Sequence, residues 1–96
     1  MASQIRMTPE QMRGRASEYR TQAEAVQEVI TKMDGLLSAL QSEWEGQSAE
    51  AYAARYEELK PGFVKAQDLI TEIAASLDSA ANQTEELDQG LASQWR

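Results

Sequence analysis

The side chains that carry most enzyme chemistry are either missing from this 96-residue chain or badly placed for it. There is no His and no Cys, which removes the commonest general base, the thiolate nucleophile, the usual transition-metal ligands and any disulfide framework. Ser17, Ser38, Ser42, Ser48, Ser76, Ser79 and Ser93 are scattered, with no imidazole to activate them. Lys32, Lys60 and Lys65 lie in hydrophilic stretches, without the burial that would lower an amine pKa. Glu57-Glu58 and Glu85-Glu86 are adjacent pairs, and neighbours on a helix splay about 100° apart, which suits a solvated face and not a paired-carboxylate site. No Gly-rich phosphate loop occurs. The expectation is a non-enzyme with no cofactor and no metal.

One tripeptide stands out instead. Trp44-Glu45-Gly46 sits near mid-chain, with a helical stripe running up to it and another away from it. Before it, apolar or small residues fall at Met12, Ala16, Tyr19, Ala23, Val26, Ile30, Met33, Leu37, Leu40 and Trp44. After it come Ala49, Tyr52, Tyr56, Leu59, Phe63, Ala66, Ile70, Ile73, Leu77, Ala80, Thr84, Leu87 and Leu91. Steps alternating between three and four keep one helical face apolar and form the seam of helix bundles. The spacing predicts an all-α chain: an antiparallel helix-turn-helix hairpin, as a single domain over 1–96. Val26, Ile30, Met33, Leu37, Leu40, Leu59, Phe63, Ile70, Ile73 and Leu77 are its expected core.

The first helix is expected over about 8–43, the turn over 44–47 and the second helix over 48–91. Thr8 is a good N-cap, Pro9 suits the first turn, and Gln11 stands where a capping box requires it. Gly46 can take the left-handed conformation that stops a helix, and Gln47 or Ser48 can cap the next. Pro61-Gly62 is a local conflict, because Pro61 removes a donor and crowds the carbonyl of Glu57. Since the stripe passes through Pro61 in phase, a kinked but continuous helix is favoured over a break. Residues 1–7 read as a short arm with Ile5 in phase.

The net charge of −7 is unevenly placed: residues 44–96 hold 10 acidic and 4 basic side chains, while Arg6, Arg13, Arg15 and Arg20 cluster near the start. Nucleic acid and anionic membrane surfaces need a basic footprint and are poor candidate partners. The first ten residues lack an apolar core after a basic start, so no Sec signal peptide is expected, and no window is apolar enough to insert in a membrane. A turn near 45–46 places position i roughly opposite 91 − i. Arg6 then falls near Glu85 and Arg13 near Asp78, as broad complementarity without strong ion pairs.

A lone hairpin leaves the margins of its stripes wet, and here Val29 and Leu36, with Leu69, Ala53, Ala74 and Ala81, make those margins apolar too. Stripes this wide fit more than two helices, so two hairpins are expected to dimerise into a four-helix bundle.

Trp44-Glu45-Gly46 between two heptad stripes, the Met-Thr-Pro-Glu start, and Leu59-Lys60-Pro61 in the second helix together resemble the WXG-motif, or ESAT-like, family of small type VII secretion substrates. The likeness covers almost the whole chain and lies nearer the Gram-positive homodimer branch. It implies a secreted protein with no cleaved signal peptide and a cytoplasmic pool before export. It also implies action through protein–protein contact, in virulence or interbacterial competition. The implied partners are a second copy and the secretion ATPase. An alternative is an adaptor that delivers a larger effector bearing a matching hairpin. The resemblance makes Trp44 and Gly46 a turn and secretion motif, completed by the partner subunit's tail. The Tyr-X-X-X-Asp/Glu form of that tail is missing here. A looser pattern reads Thr84, Asp88, Leu91 and Trp95, with Thr84 as the misfit, so Asp88, Leu91 and Trp95 are the candidate C-terminal signal.

Overall fold

The computed structural model describes residues 7–44 and 46–94, the last four of these by backbone alone. Two helices, α1 (Pro9–Glu43) and α2 (Gln47–Gln94), make up nearly all of it, with no strand among the described residues. They pack side by side as an antiparallel hairpin measuring 76 × 25 × 16 Å. The radius of gyration is 21.7 Å, against about 12 Å for a compact chain of this length. The rod takes its length from α2, whose 48 residues rise about 72 Å.

Local sequence explains both ends of α1. Thr8 Oγ1 accepts from the Gln11 backbone N–H at 3.1 Å, and Gln11 Oε1 accepts from the Thr8 N–H at 2.9 Å. This reciprocal pair satisfies two donors at the helix start, and Pro9 follows where a missing N–H costs nothing. At the other end Trp44 leaves the helix with an extended backbone, while its N–H still donates to the Leu40 carbonyl at 2.8 Å. Gly46 has φ 111°, a left-handed value that disfavours any residue with a Cβ. Its carbonyl accepts from the N–H groups of Ala49 and Glu50 at 3.2 and 3.4 Å. Gly46 is therefore itself the first capping position of α2, and the expected caps Gln47 and Ser48 lie inside the helix. α2 runs through Pro61 without interruption, with the proline exposed.

On α1 the seam follows the expected stripe, whereas on α2 it is rotated toward the expected flank along Ala74 and Ala81. Its buried residues are Ala16, Ala23 and Ile30 on α1, and Ala49, Ala74 and Ala81 on α2. Ala74 and Ala81, expected on the flank, have 0% exposure, whereas Leu59 and Phe63 are 53% and 41% exposed. Small side chains let two backbones approach closely, so the hairpin closes mainly on its alanines, with Ile30 the one larger side chain buried among them in the described residues. Val26, Met33, Leu37, Leu40, Ile70, Ile73 and Leu77 are half-buried at the seam's edge.

The expected pairing is also corrected. Arg13 pairs with Glu85, and Arg20, not Arg13, takes Asp78. Both partners lie seven residues from the simple ruler. Helical side chains lean toward their own N-terminus, so on antiparallel helices a long pair leans together and closes an axial offset of about two turns. These groups bridge the seam and form direct ion pairs.

Candidate functional site

The seam has two unlike margins. Along one run the polar links between helices. Arg13 Nη1 and Nη2 donate to Glu85 at 3.0 and 2.5 Å, and Nη2 also donates to Asn82 Oδ1 at 2.8 Å. Arg20 pairs with Asp78. Nearer the tip, Tyr56 Oη donates to Asp34 Oδ1 at 2.6 Å and Lys60 Nζ donates to Oδ2 at 3.0 Å. The hydrogen bond from Tyr56, then that from Lys60, holds the Asp34 carboxyl below its usual range. The same bond pushes the Tyr56 hydroxyl up to about 12, because ionisation would set two negative charges together. Glu85 is likewise held low, first by its hydrogen bonds from Arg13.

The other margin is apolar. Arg13, Arg20 and Asp34 share one heptad position, with Gln27 between the last two, on one side of the α1 seam line, which places Tyr19, Val29 and Leu36 on the opposite side. On α2, Asp78 and Glu85 mark the polar side, so Tyr52, Leu59, Leu69 and Leu87 fall on the other. Those seven apolar side chains, with Phe63 beside them, remain 39–64% exposed. Large apolar side chains exposed along one margin are the composition expected of an interaction surface.

At the tip, Trp44 is 40% exposed, and its ring lies 6.0 Å from that of Tyr52 at an interplanar angle of 51°. It shares a recess with Gln41, Gly46, Ala49 and Glu50. The expected tip motif is therefore presented to solvent by the extended cap at Trp44 and the left-handed turn at Gly46. In the tail, Asp88 is exposed and Leu91 continues α2, while Trp95 lies outside the described residues, as do Ile5, Arg6 and Glu45. Asp34, and its links to Tyr56 of the stripe and to Lys60, escaped the sequence reading. The signal for Lys60 was the heptad line Ala53, Lys60, Gln67, Ala74 and Ala81, which carries it onto the seam.

Among the described residues no cluster of acidic or other ligating side chains could hold a metal ion, and no helix is long and apolar enough to cross a membrane. The family described as "WXG100: Proteins of 100 residues with WXG" matches residues 4–89. Protein YukE of Bacillus subtilis (strain 168) is 42% identical over 96 residues, covering 100% of this chain and 99% of that protein. The type VII secretion system extracellular protein A of Staphylococcus aureus (strain USA300) is 25% identical over 91 residues, covering 95% and 94%. The crystal structure of Geobacillus thermodenitrificans EsxA superposes with a TM-score of 0.83 at 40% identity, covering 96% of this chain and 99% of that one. With its matching length, hairpin and Trp-X-Gly tip, this chain belongs to the WXG100 family, non-enzymatic helical proteins that are small type VII secretion substrates.

Proposed function

We propose that this chain is exported by a type VII secretion system as a folded homodimer, in which two apolar margins cover each other to complete a four-helix bundle. The observation that carries this reading is the asymmetry of the seam. One margin is closed by ion pairs, and the other leaves eight large apolar side chains exposed along both helices. A symmetric pair of hairpins buries the same surface twice with one interface design. Trp44 and Gly46 at the exposed tip supply one half of the export signal, and Asp88, Leu91 and Trp95 of the partner's tail supply the other. The protein then has a cytoplasmic pool before export and acts outside the cell through protein contact.

The test is the amount of protein in culture medium with and without the secretion ATPase, alongside the solution mass of the purified chain. Export that depends on the ATPase, with a mass of twice 10.7 kDa, is the expected result. Equal extracellular amounts in both strains would refute export by this route. A monomer that co-purifies with a larger hairpin-bearing protein would instead identify an adaptor, since the same apolar margin can accept a foreign helix pair.

A further inference from the structure

Asp34 lies ten residues before Trp44, yet a hydrogen bond, a shared groove and a tilted ring pair lie in sequence between them. Its carboxylate accepts the Tyr56 hydroxyl at 2.6 Å. Tyr56 and Tyr52 stand one turn apart on the same side of α2 and line one groove together with Met33, Leu36, Leu37 and Leu40. Tyr52 in turn leans its ring against Trp44. Packing alone does not hold this line in place. Among the described residues, none in 31–48 and none in 50–73 is buried, so this part of the hairpin lacks the close-packed alanines of the other end. The two bonds at Asp34 are the only polar links between the helices in this part, again among the described residues.

We propose that Asp34 is a positioning residue for Trp44: its hydrogen bond from Tyr56 fixes the aromatic line Tyr56–Tyr52–Trp44 and so sets how the tip tryptophan is presented. This rests on the reading of Trp44 as an export determinant only for its biological consequence. The positioning itself is a property of the folded chain. Lys60 shares the carboxylate but contacts the other oxygen and lines a separate recess with Glu57, Pro61, Val64 and Lys65. It neutralises Asp34 without orienting the ring of Tyr56.

The experiment uses the full chain carrying W95F, so that Trp44 is the sole indole, at a concentration where its assembly state matches the parent. D34A and Y56F should each shift Trp44 emission to the red and weaken its near-ultraviolet dichroism, with far-ultraviolet helicity kept. D34N should restore the parent spectra, because the amide oxygen still accepts from the Tyr56 hydroxyl. K60M should leave them unchanged, and D34A with Y56F should change them no more than either alone. Y56F keeps the ring and decides the matter if D34A loses helicity. Unchanged Trp44 spectra in folded Y56F would overturn the proposal, as would K60M shifting them as far as Y56F does. Normal export of W44F would refute the signal reading of Trp44 while leaving the spectroscopic result to stand or fall separately.

Discussion

The end of the hairpin away from the tip and the end that carries it meet the packing problem in opposite ways. Away from the tip, Ala16, Ala23, Ala74 and Ala81 are buried at 0–6% exposure, and Arg13 and Arg20 reach across them to Glu85 and Asp78. Toward the tip the side chains are larger, yet Met33, Leu37, Leu40 and Tyr56 are only half-buried, and Trp44, Tyr52 and Leu36 are exposed. Small residues allow close approach, so two helices can finish the job between them. Large residues hold the helices apart, and two cylinders cannot cover the surface they then present. The first arrangement closes its seam within one chain, although Tyr19, Leu69 and Leu87 stay exposed on its apolar margin, whereas the second leaves the seam itself half-open.

The sharpest way to break this contrast is to overfill the close-packed end. Ala74→Leu should destabilise the fold by about 3 kcal/mol, the upper part of the usual overpacking range, because no neighbouring space exists at 0% exposure. Ala53→Leu, at a half-buried position of the same heptad line nearer the tip, should cost under about 1 kcal/mol. Urea unfolding of both variants measures the difference, and equal losses would erase the distinction between the two ends.

Next in size is the apolar margin. Leu59→Asp places a charge on the surface assigned to the second copy and should weaken dimerisation by about 2 kcal/mol, roughly thirty-fold in dissociation constant. Sedimentation against concentration reads it directly. Retained dimers at micromolar concentration would move the interface elsewhere.

Trp44→Ala should cost about 1–2 kcal/mol, below the value for a fully buried aromatic because the ring is 40% exposed. Trp44→Phe should cost less still and remain helical and dimeric, yet reach the culture medium poorly. Thermal melts set beside secreted and cellular amounts separate the structural loss from the functional one.

The smallest effect is one of pH. The Tyr56 hydroxyl titrates at about 12 in the fold against 10.0 when free of it, so its stabilising contribution is complete below pH 10 and is lost as the pH rises toward 12. Asp34 and Glu85 have lowered values, so their contributions are present above the ordinary carboxylate range and are lost as the pH falls through their folded values. Melting temperature should therefore be flat across neutral pH and fall at both extremes. The alkaline fall should be shallower in Y56F, and an identical alkaline limb would show that the bond to Asp34 does not contribute.

Periodicity and turn chemistry, both local properties, were legible in the chain itself. The alternation from Met12 to Trp44 and from Ala49 to Leu91 gave two helices, Thr8 with Gln11 gave the start of the first, and Trp44-Glu45-Gly46 gave the place of the turn. The absence of His and Cys, together with the acidic balance, narrowed the chemistry. On α1 the stripe is itself the buried face, with Ala16, Ala23 and Ile30 on it, but the side of α2 that faces α1 was a different matter. On α2 the line through Tyr52, Leu59, Ile73 and Leu87 and the line through Ala53, Lys60, Ala74 and Ala81 both flank the same heptad positions, about 50° to either side. Hydrophobicity alone favours the first, and close approach selects the second. That choice made Asp34, Tyr56 and Lys60 neighbours and left the larger residues outside, since it depends on how near two backbones can come, a distance that no single helix contains.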